Sequence, residues 1–248
     1  MLPEKGADMS ENSVPYILEE TNDYAVLFKP PRMHSVPLKQ KQGGTLLEWY
    51  AAIFPPVSDG GDLVHRLDFE TQGLLLCAKN RKSLEIFRLQ QESGDFVKEY
   101  TAHCAKAENV LPGFPPPPAL DRFLQNECSQ SEPFVIESFF RPYGPGRKQV
   151  RPVTGENFRG LKYRECDIYR TNIVNAIFLN SFKIRLERGF RHQIRCHLSW
   201  IGYPIHNDPL YGVAPVSTEG NFLALSCNAL FFGDPSSGLR LEYRIEKP

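Results

Sequence analysis

The chain has 248 residues, 41% hydrophobic and 23% charged, with 29 basic side chains against 29 acidic ones. That length allows one large domain or two small ones around a substantial core, and the composition is ordinary for a globular protein. No apolar run approaches the roughly 20 residues of a membrane helix, and the polar start MLPEKGADMSENS lacks the basic and apolar segments of a signal peptide; a cytoplasmic protein with no membrane partner is expected.

Residues 1–15 read as a flexible tail and 16–248 as one folded domain. Tyr16–Glu20 and Tyr24–Phe28 read as strands around a turn at Asn22-Asp23, and Lys29-Pro30-Pro31 ends the second, because paired prolines cannot continue a central ladder. Residues 44–54 read as a short helix capped near Thr45 and stopped by Pro55-Pro56. Val64 onward reads as a strand, a turn at Thr71 to Gly73, and a second strand through the apolar run Leu74-Leu75-Leu76. Residues 83–91 carry apolar positions at helical spacing, and 98–104 alternate as a strand.

Leu111 to Pro118 holds five prolines and one glycine, a stiff extended connector. Runs 134–140, 163–169, 173–178 and 182–186 read as strands. Arg191 to Trp200 reads as a helix, with Ile194, Leu198 and Ile201 on one face and Gly202 ending it. Runs 223–232 and 239–245 close the domain as strands. Many strands with few helices, not in regular alternation, imply an α+β fold around a mixed, mostly antiparallel sheet.

The zero net charge is unevenly spread. Between 141 and 195 there are 13 Lys and Arg against four Asp and Glu, leaving nine net positive charges. Such a concentration suits phosphate contact, since each neutralised phosphate releases condensed counterions. The six cysteines form no C-x-x-C pair, so they read as reduced core fillers rather than a zinc or redox site.

The run HRLDFETQGLLLCAK, residues 65–79, sets Arg66 two residues before Asp68 and just ahead of a small-residue turn and an apolar strand. Three further segments accompany it in order: YAVLFKPPRM at 24–33, KEYTA at 98–102, and GFRHQIRCHL with GYPIHNDPLYG at 189–198 and 202–212. Together these resemble the RluA family of RNA pseudouridine synthases over about residues 16 to 232.

The resemblance implies the pseudouridine-synthase fold, its sheet flanked by helices and loops around a central catalytic cleft, as a catalytic domain without an S4 domain. It also implies isomerisation of uridine in structured ribosomal or transfer RNA: the N1–C1′ bond breaks, the base turns, and C5 takes the place of N1. Nothing is oxidised and no group is added, so no cofactor or metal is expected, and a monomer is expected.

Residue by residue, the resemblance places the nucleophile on Asp68; attack at C1′ and a glycal route both stay open. A carboxylate shut away from water needs a cation to stay ionised, and the resemblance gives that part to Arg195, whose planar fork suits two parallel bonds. Tyr100 offers a ring for the uracil to stack on and a hydroxyl near the C5 proton. The target must leave its stack to react. Arg66, Lys98, Leu225 and Arg191 are the substrate-binding candidates: Arg66 beside the flipped nucleotide, Lys98 for phosphate or support of the site, and Leu225 as a wall of the uracil pocket. Arg191 is shifted by one position from the family's Gly-Arg pattern, and Ser226 stands where the family usually has His.

Two other readings compete. His192, His197, His206 and Asp208 are metal-ligand types in a small window, but His192 and His197 are five apart and do not share a helical face. A non-catalytic RNA-binding protein on the same fold is the alternative, against which stand Asp68, Tyr100 and Arg195 together.

Overall fold

The computed structural model describes residues 14–38, 43–54, 63–118, 133–155, 157–177, 180–212 and 222–245. Nearly all of the expected N-terminal tail, and Pro55-Pro56, lie outside the described residues. The chain divides into two compact units, Met1–Gln90 with Asn228–Pro248, and Gln91–Cys227.

In the first unit, strands β1 (Tyr16–Glu20), β2 (Tyr24–Lys29) and β3 (Gln72–Ala78) run antiparallel in that order. From Asn228 on, β11 (Leu225–Gly233) lies beyond β3 and carries β12 (Arg240–Arg244) antiparallel. Every residue of β2 is buried, so it reads as a continuous apolar run rather than an alternation. Helices α1 (Leu46–Ala51) and α2 (Arg81–Ser93) complete the unit.

Thr45 caps α1: its hydroxyl accepts from the Glu48 N–H while the Glu48 carboxylate accepts from the Thr45 N–H, so two otherwise orphaned donors are satisfied. Edge-to-face rings of Tyr24, Phe87 and Phe232 fill the core, with centroids 5.2–6.0 Å apart.

The second unit is an antiparallel sheet in the order β4 (Val97–His103), β10 (Ser181–Leu186), β9 (Tyr169–Ile177), β5 (Phe134–Tyr143), β6 (Gln149–Val153), with a small separate hairpin, β7 (Asn157–Phe158) and β8 (Leu161–Lys162). The long β5 pairs with β9 through its first half and with β6 through its second. Helix α3 (Gln193–Trp200) is buried along its whole length. Its Cys196 joins Phe140, Val150 and Tyr211 in a core cluster, with Leu111 and Phe114 of the proline-rich connector packed on.

That connector is pinned as well as stiff, since Trp200 Nε1 donates to the Pro115 carbonyl and Arg151 Nε to that of Pro112. Gly113 sits at φ 82°, where a Cβ would collide with the Tyr143 ring.

Three expectations are corrected. Residues 64–68 form no strand: the segment meets β3 through an isolated bridge from Leu63 to Cys77, a bond from the Val64 N–H to the Leu76 carbonyl and one from the Leu76 N–H to the His65 ring. Residues 163–169 contain a 3₁₀ turn at Glu165–Asp167 in place of a strand, because the Asp167 carboxylate accepts from the Arg164 N–H and closes the chain on itself. Cys166 is exposed, unlike the buried Cys77, Cys104, Cys196 and Cys227; burial pushes the Cys104 and Cys196 thiols well up, which keeps them protonated and inert. Among the described residues no helix is long and apolar enough to cross a membrane.

Candidate active site

Asp68 lies in the first unit, half-buried on the irregular segment between β2 and β3. Without a ladder, its neighbours are held by side chains. Ser35 Oγ donates to the Leu67 carbonyl at 2.8 Å and accepts from the Leu67 N–H at 3.1 Å, so one hydroxyl fixes both backbone groups of the residue before Asp68. Ser35 is itself anchored, because its carbonyl accepts from the Leu47 N–H at the start of α1. On the other side, the Asp68 carbonyl accepts from the Thr71 N–H at 3.1 Å, and the His34 and Phe69 rings meet at 4.5 Å. His65 Nε2 accepts from the Leu76 N–H at 3.3 Å, tying the segment to β3.

Lys29, the last residue of β2, is 0% exposed. Its Nζ donates to the carbonyls of Pro30 at 2.9 Å, Met33 at 2.8 Å and Phe69 at 3.4 Å. One amine thus spans the proline turn and the residue after Asp68. Burial pushes its pKa down to about 7, and the carboxylates of Asp68 and Glu70 pull it back up. Arg66 is exposed between buried His65 and Leu67.

The second unit carries Lys98, Tyr100 and Arg195. Lys98 and Tyr100 alternate with Glu99 along β4 and are both buried. Glu99 points the other way, to Arg185 at 2.8 Å and Lys183 at 3.8 Å on β10. Tyr100 is opposite Ile184 and 6% exposed. Lys98 Nζ donates to the Glu187 carbonyl at 2.9 Å and lies 4.9 Å from the Phe96 ring centre. Burial lowers its pKa to about 8, against an upward pull from Cys227 and Glu187. Of the two parts offered to Lys98, phosphate contact and support, a buried amine on a backbone carbonyl suits support. Leu225 is buried at the start of β11.

Arg195 is 1% exposed. Its Nε donates to Asp208 Oδ2 at 2.8 Å and its Nη2 to Oδ1 at 2.7 Å, a two-pronged pair. Asp208 Oδ1 also accepts from the N–H groups of Leu210 and Tyr211 at 2.9 and 3.0 Å, so the carboxylate orients the guanidinium and closes its own turn at once. Arg191 is exposed, just before α3, and its Nη2 donates to the carbonyls of Arg147 and Gln149.

The residues of the competing metal site are engaged elsewhere. His197 is held between the hydroxyls of Ser138 at 2.9 Å and Thr171 at 2.8 Å. Burial lowers its pKa to about 3, which keeps the ring neutral. His192 meets the Tyr211 hydroxyl at 3.2 Å, and Asp208 belongs to Arg195. Among the described residues no three His, Cys, Asp or Glu side chains assemble for a metal.

Sequence reasoning missed the parts played by Lys29, Ser35 and Asp208. A lysine closing a wholly apolar strand before two prolines was a readable signal for the first. An Asp ahead of Pro-Leu-Tyr, where its side chain can take up the following N–H groups, was a readable signal for the third. Nothing local marks Ser35.

The family model of RNA pseudouridylate synthases matches residues 23–200. Ribosomal large subunit pseudouridine synthase D of Yersinia pestis is 25% identical over 260 aligned positions, covering 99% of this chain and 71% of the relative. An uncharacterized RNA pseudouridine synthase of Chloroflexus aurantiacus is 30% identical over 191 positions, covering 74% of this chain and half of the relative. The solved structure of human RNA pseudouridylate synthase domain containing 1 superposes with a TM-score of 0.63 at 19% identity, over 99% of this chain and 87% of that one. That of domain containing 4 superposes at 0.58 with 18% identity, over 94% and 88%. The fold is therefore that of the pseudouridine synthases, and the chain belongs to the RNA pseudouridine synthase family, enzymes that isomerise uridine within RNA.

Proposed function

We propose that this enzyme converts uridines of structured RNA to pseudouridine with Asp68 as nucleophile, as a cytoplasmic monomer and without a metal or cofactor. The observation that carries this reading is the tethering of Asp68. Ser35 grips the residue before it, Lys29 the carbonyl after it, and Thr71 its own carbonyl. A carboxylate whose backbone is held by four such bonds retains one direction of attack, which is where positioning lowers a barrier. The reaction transfers a ribosyl carbon from N1 to C5 of the same base, and ends as C5 gives up its proton and N1 takes one on. It consumes nothing, so protein groups alone can balance it.

Tyr100 and Arg195 are assigned to the same reaction by their chemistry. The ring of Tyr100 stacks on uracil and its hydroxyl serves the C5 proton, while Arg195, oriented by Asp208, is the cation assigned to keep the nucleophile ionised. Arg66 attends the flipped nucleotide and Leu225 walls the base. Ribosomal RNA is favoured over transfer RNA by the similarity to the ribosomal large subunit pseudouridine synthase D of Yersinia pestis.

The test is Asp68→Asn, which keeps size and removes the charge. Pseudouridine formation on transcribed ribosomal and transfer RNA should fall to background while RNA binding and the unfolding midpoint stay near those of the parent. Turnover by a folded Asp68→Asn variant would refute the assignment.

A further inference from the structure

Within the second unit the basic stretch is not one kind of surface. Its strand and turn arginines are partnered: Arg170 with Glu137 at 3.1 Å, Arg185 with Glu99 at 2.8 Å, Arg164 with Asp167 at 3.5 Å. The cations of the two hairpin tips differ. Arg147 and Lys148 lie between β5 and β6, and Arg159 and Lys162 on the β7–β8 hairpin. All four are exposed, and among the described residues none forms a salt bridge.

The backbone at these tips is also unusual. Arg147 has φ 54° and Arg159 φ 49°, each in the left-handed region beside a left-handed glycine, Gly146 and Gly160. Glycine or asparagine would occupy such a position at lower cost. Both turns hold an arginine there instead, and strain kept at an exposed cation points to a use for it.

The tips are coupled. The Arg141 guanidinium lies 5.2 Å from the Tyr143 ring centre on β5 and 4.7 Å from that of Phe158 on β7. Arg141 also donates to the Gly113 carbonyl at 3.1 Å, and Arg191 binds the carbonyls at the base of the first tip. The small β7–β8 hairpin, marginal alone, is thus joined to the tip of the β5–β6 hairpin in one basic arm.

We propose that this arm docks on the RNA sugar–phosphate backbone and supplies affinity rather than chemistry. The inference rests on the reading of the substrate as structured RNA. Four exposed cations that form no ion pair among the described residues can each displace condensed counterions without first breaking one. Phosphate contacts of this sort fix register and orientation without reading sequence.

The experiment compares the parent with R147A/K148A/R159A/K162A, measuring binding to transcribed large-subunit ribosomal RNA across a salt series and turnover on the same RNA. The slope of log affinity against log salt should shrink by about 2 to 4, since each lost phosphate contact removes roughly 0.9. KM should rise about tenfold or more, with kcat within about twofold of the parent. An unchanged slope and KM would overturn the proposal, as would a fall in kcat at constant KM. Equal weakening toward polyglutamate of matched length would make the arm a general polyanion surface and overturn it as an RNA-docking one. Asp68→Asn serves as the complementary variant: it should keep the full salt slope, so failure of the nucleophile assignment and failure of the docking arm give different results. Because the altered side chains are exposed, an unfolding midpoint near the parent's is expected; should the quadruple variant misfold, R147A/K148A and R159A/K162A are read separately, each expected to remove half of the change in slope.

Discussion

Asp68 sits on a segment that has no ladder of its own, whereas Arg195 sits in a regular helix buried on every side. Around Asp68, backbone groups are satisfied by Ser35 and Lys29 reaching in from β2 and the turn after it. Around Arg195, the backbone satisfies itself and the side chain is fixed by a buried carboxylate, Asp208. The first arrangement spends side chains to hold a backbone; the second uses a backbone to present a side chain. Each follows from what must be aimed. A short carboxylate points where its main chain points, while a long guanidinium has to be gripped at its far end.

The comparison predicts that the two regions break differently. Asp208→Ala should have the largest effect, because it leaves the Arg195 charge buried without this partner and the Leu210 and Tyr211 N–H groups without their acceptor. Losing one side of a buried pair costs about 3–5 kcal/mol. Urea unfolding should show that loss together with a severe drop in turnover. A change below about 1 kcal/mol would mean that the pair contributes little to holding the helix.

Lys29 should show itself through pH. Its pKa in the folded chain is about 7 against an ordinary 10.5, so between those values the unfolded chain binds the proton and the folded chain does not. Its contribution to stability is complete above the unfolded value, falls as the pH falls, and is gone below about pH 7. Stability of the parent relative to Lys29→Met should therefore increase from pH 7 to 9, by up to about 1.4 kcal/mol per pH unit. Parallel pH curves for the two proteins would show that the amine is not kept from its proton by burial.

These differences also govern how much could be read in advance. Strands β1, β2 and β10 declare themselves by their β-forming residues and bounding turns, and α1 by its Thr45 and Glu48 cap. Helix α3 starts two residues late because His192 is left-handed, at φ 57°, which its apolar spacing cannot reveal. Strand β6 was hidden by Pro152, yet it stands at the end of its sheet's order, where a missing N–H is tolerated. The motif residues are legible because their identities repeat a known pattern. The clamp on Asp68 is not, because Ser35 is 32 positions from Leu67 and its meaning comes only from the fold that brings them together. Val64 to Asp68 looked like a strand for the same reason: its β-forming residues were visible, and the side chains that take up its hydrogen bonds were not.

Ser35→Ala gives the smallest effect and the sharpest reading of the clamp. The hydroxyl is buried, so its removal leaves the Leu67 N–H and carbonyl without the one group that serves both, at a cost of about 1–2 kcal/mol. That alone would be a structural loss. Ser35 touches no reacting atom, and its influence on Asp68 runs through one peptide unit, so its consequence for the reaction is in aim rather than affinity. The expected outcome is a kcat about tenfold lower with KM nearly unchanged, measured at a urea-free temperature well below unfolding. Ser35→Thr, which retains the oxygen at the cost of one buried methyl, should recover part of the loss in kcat. A raised KM with normal kcat in Ser35→Ala would place the serine in RNA binding, and equal stability losses with no change in turnover would reduce it to a packing residue.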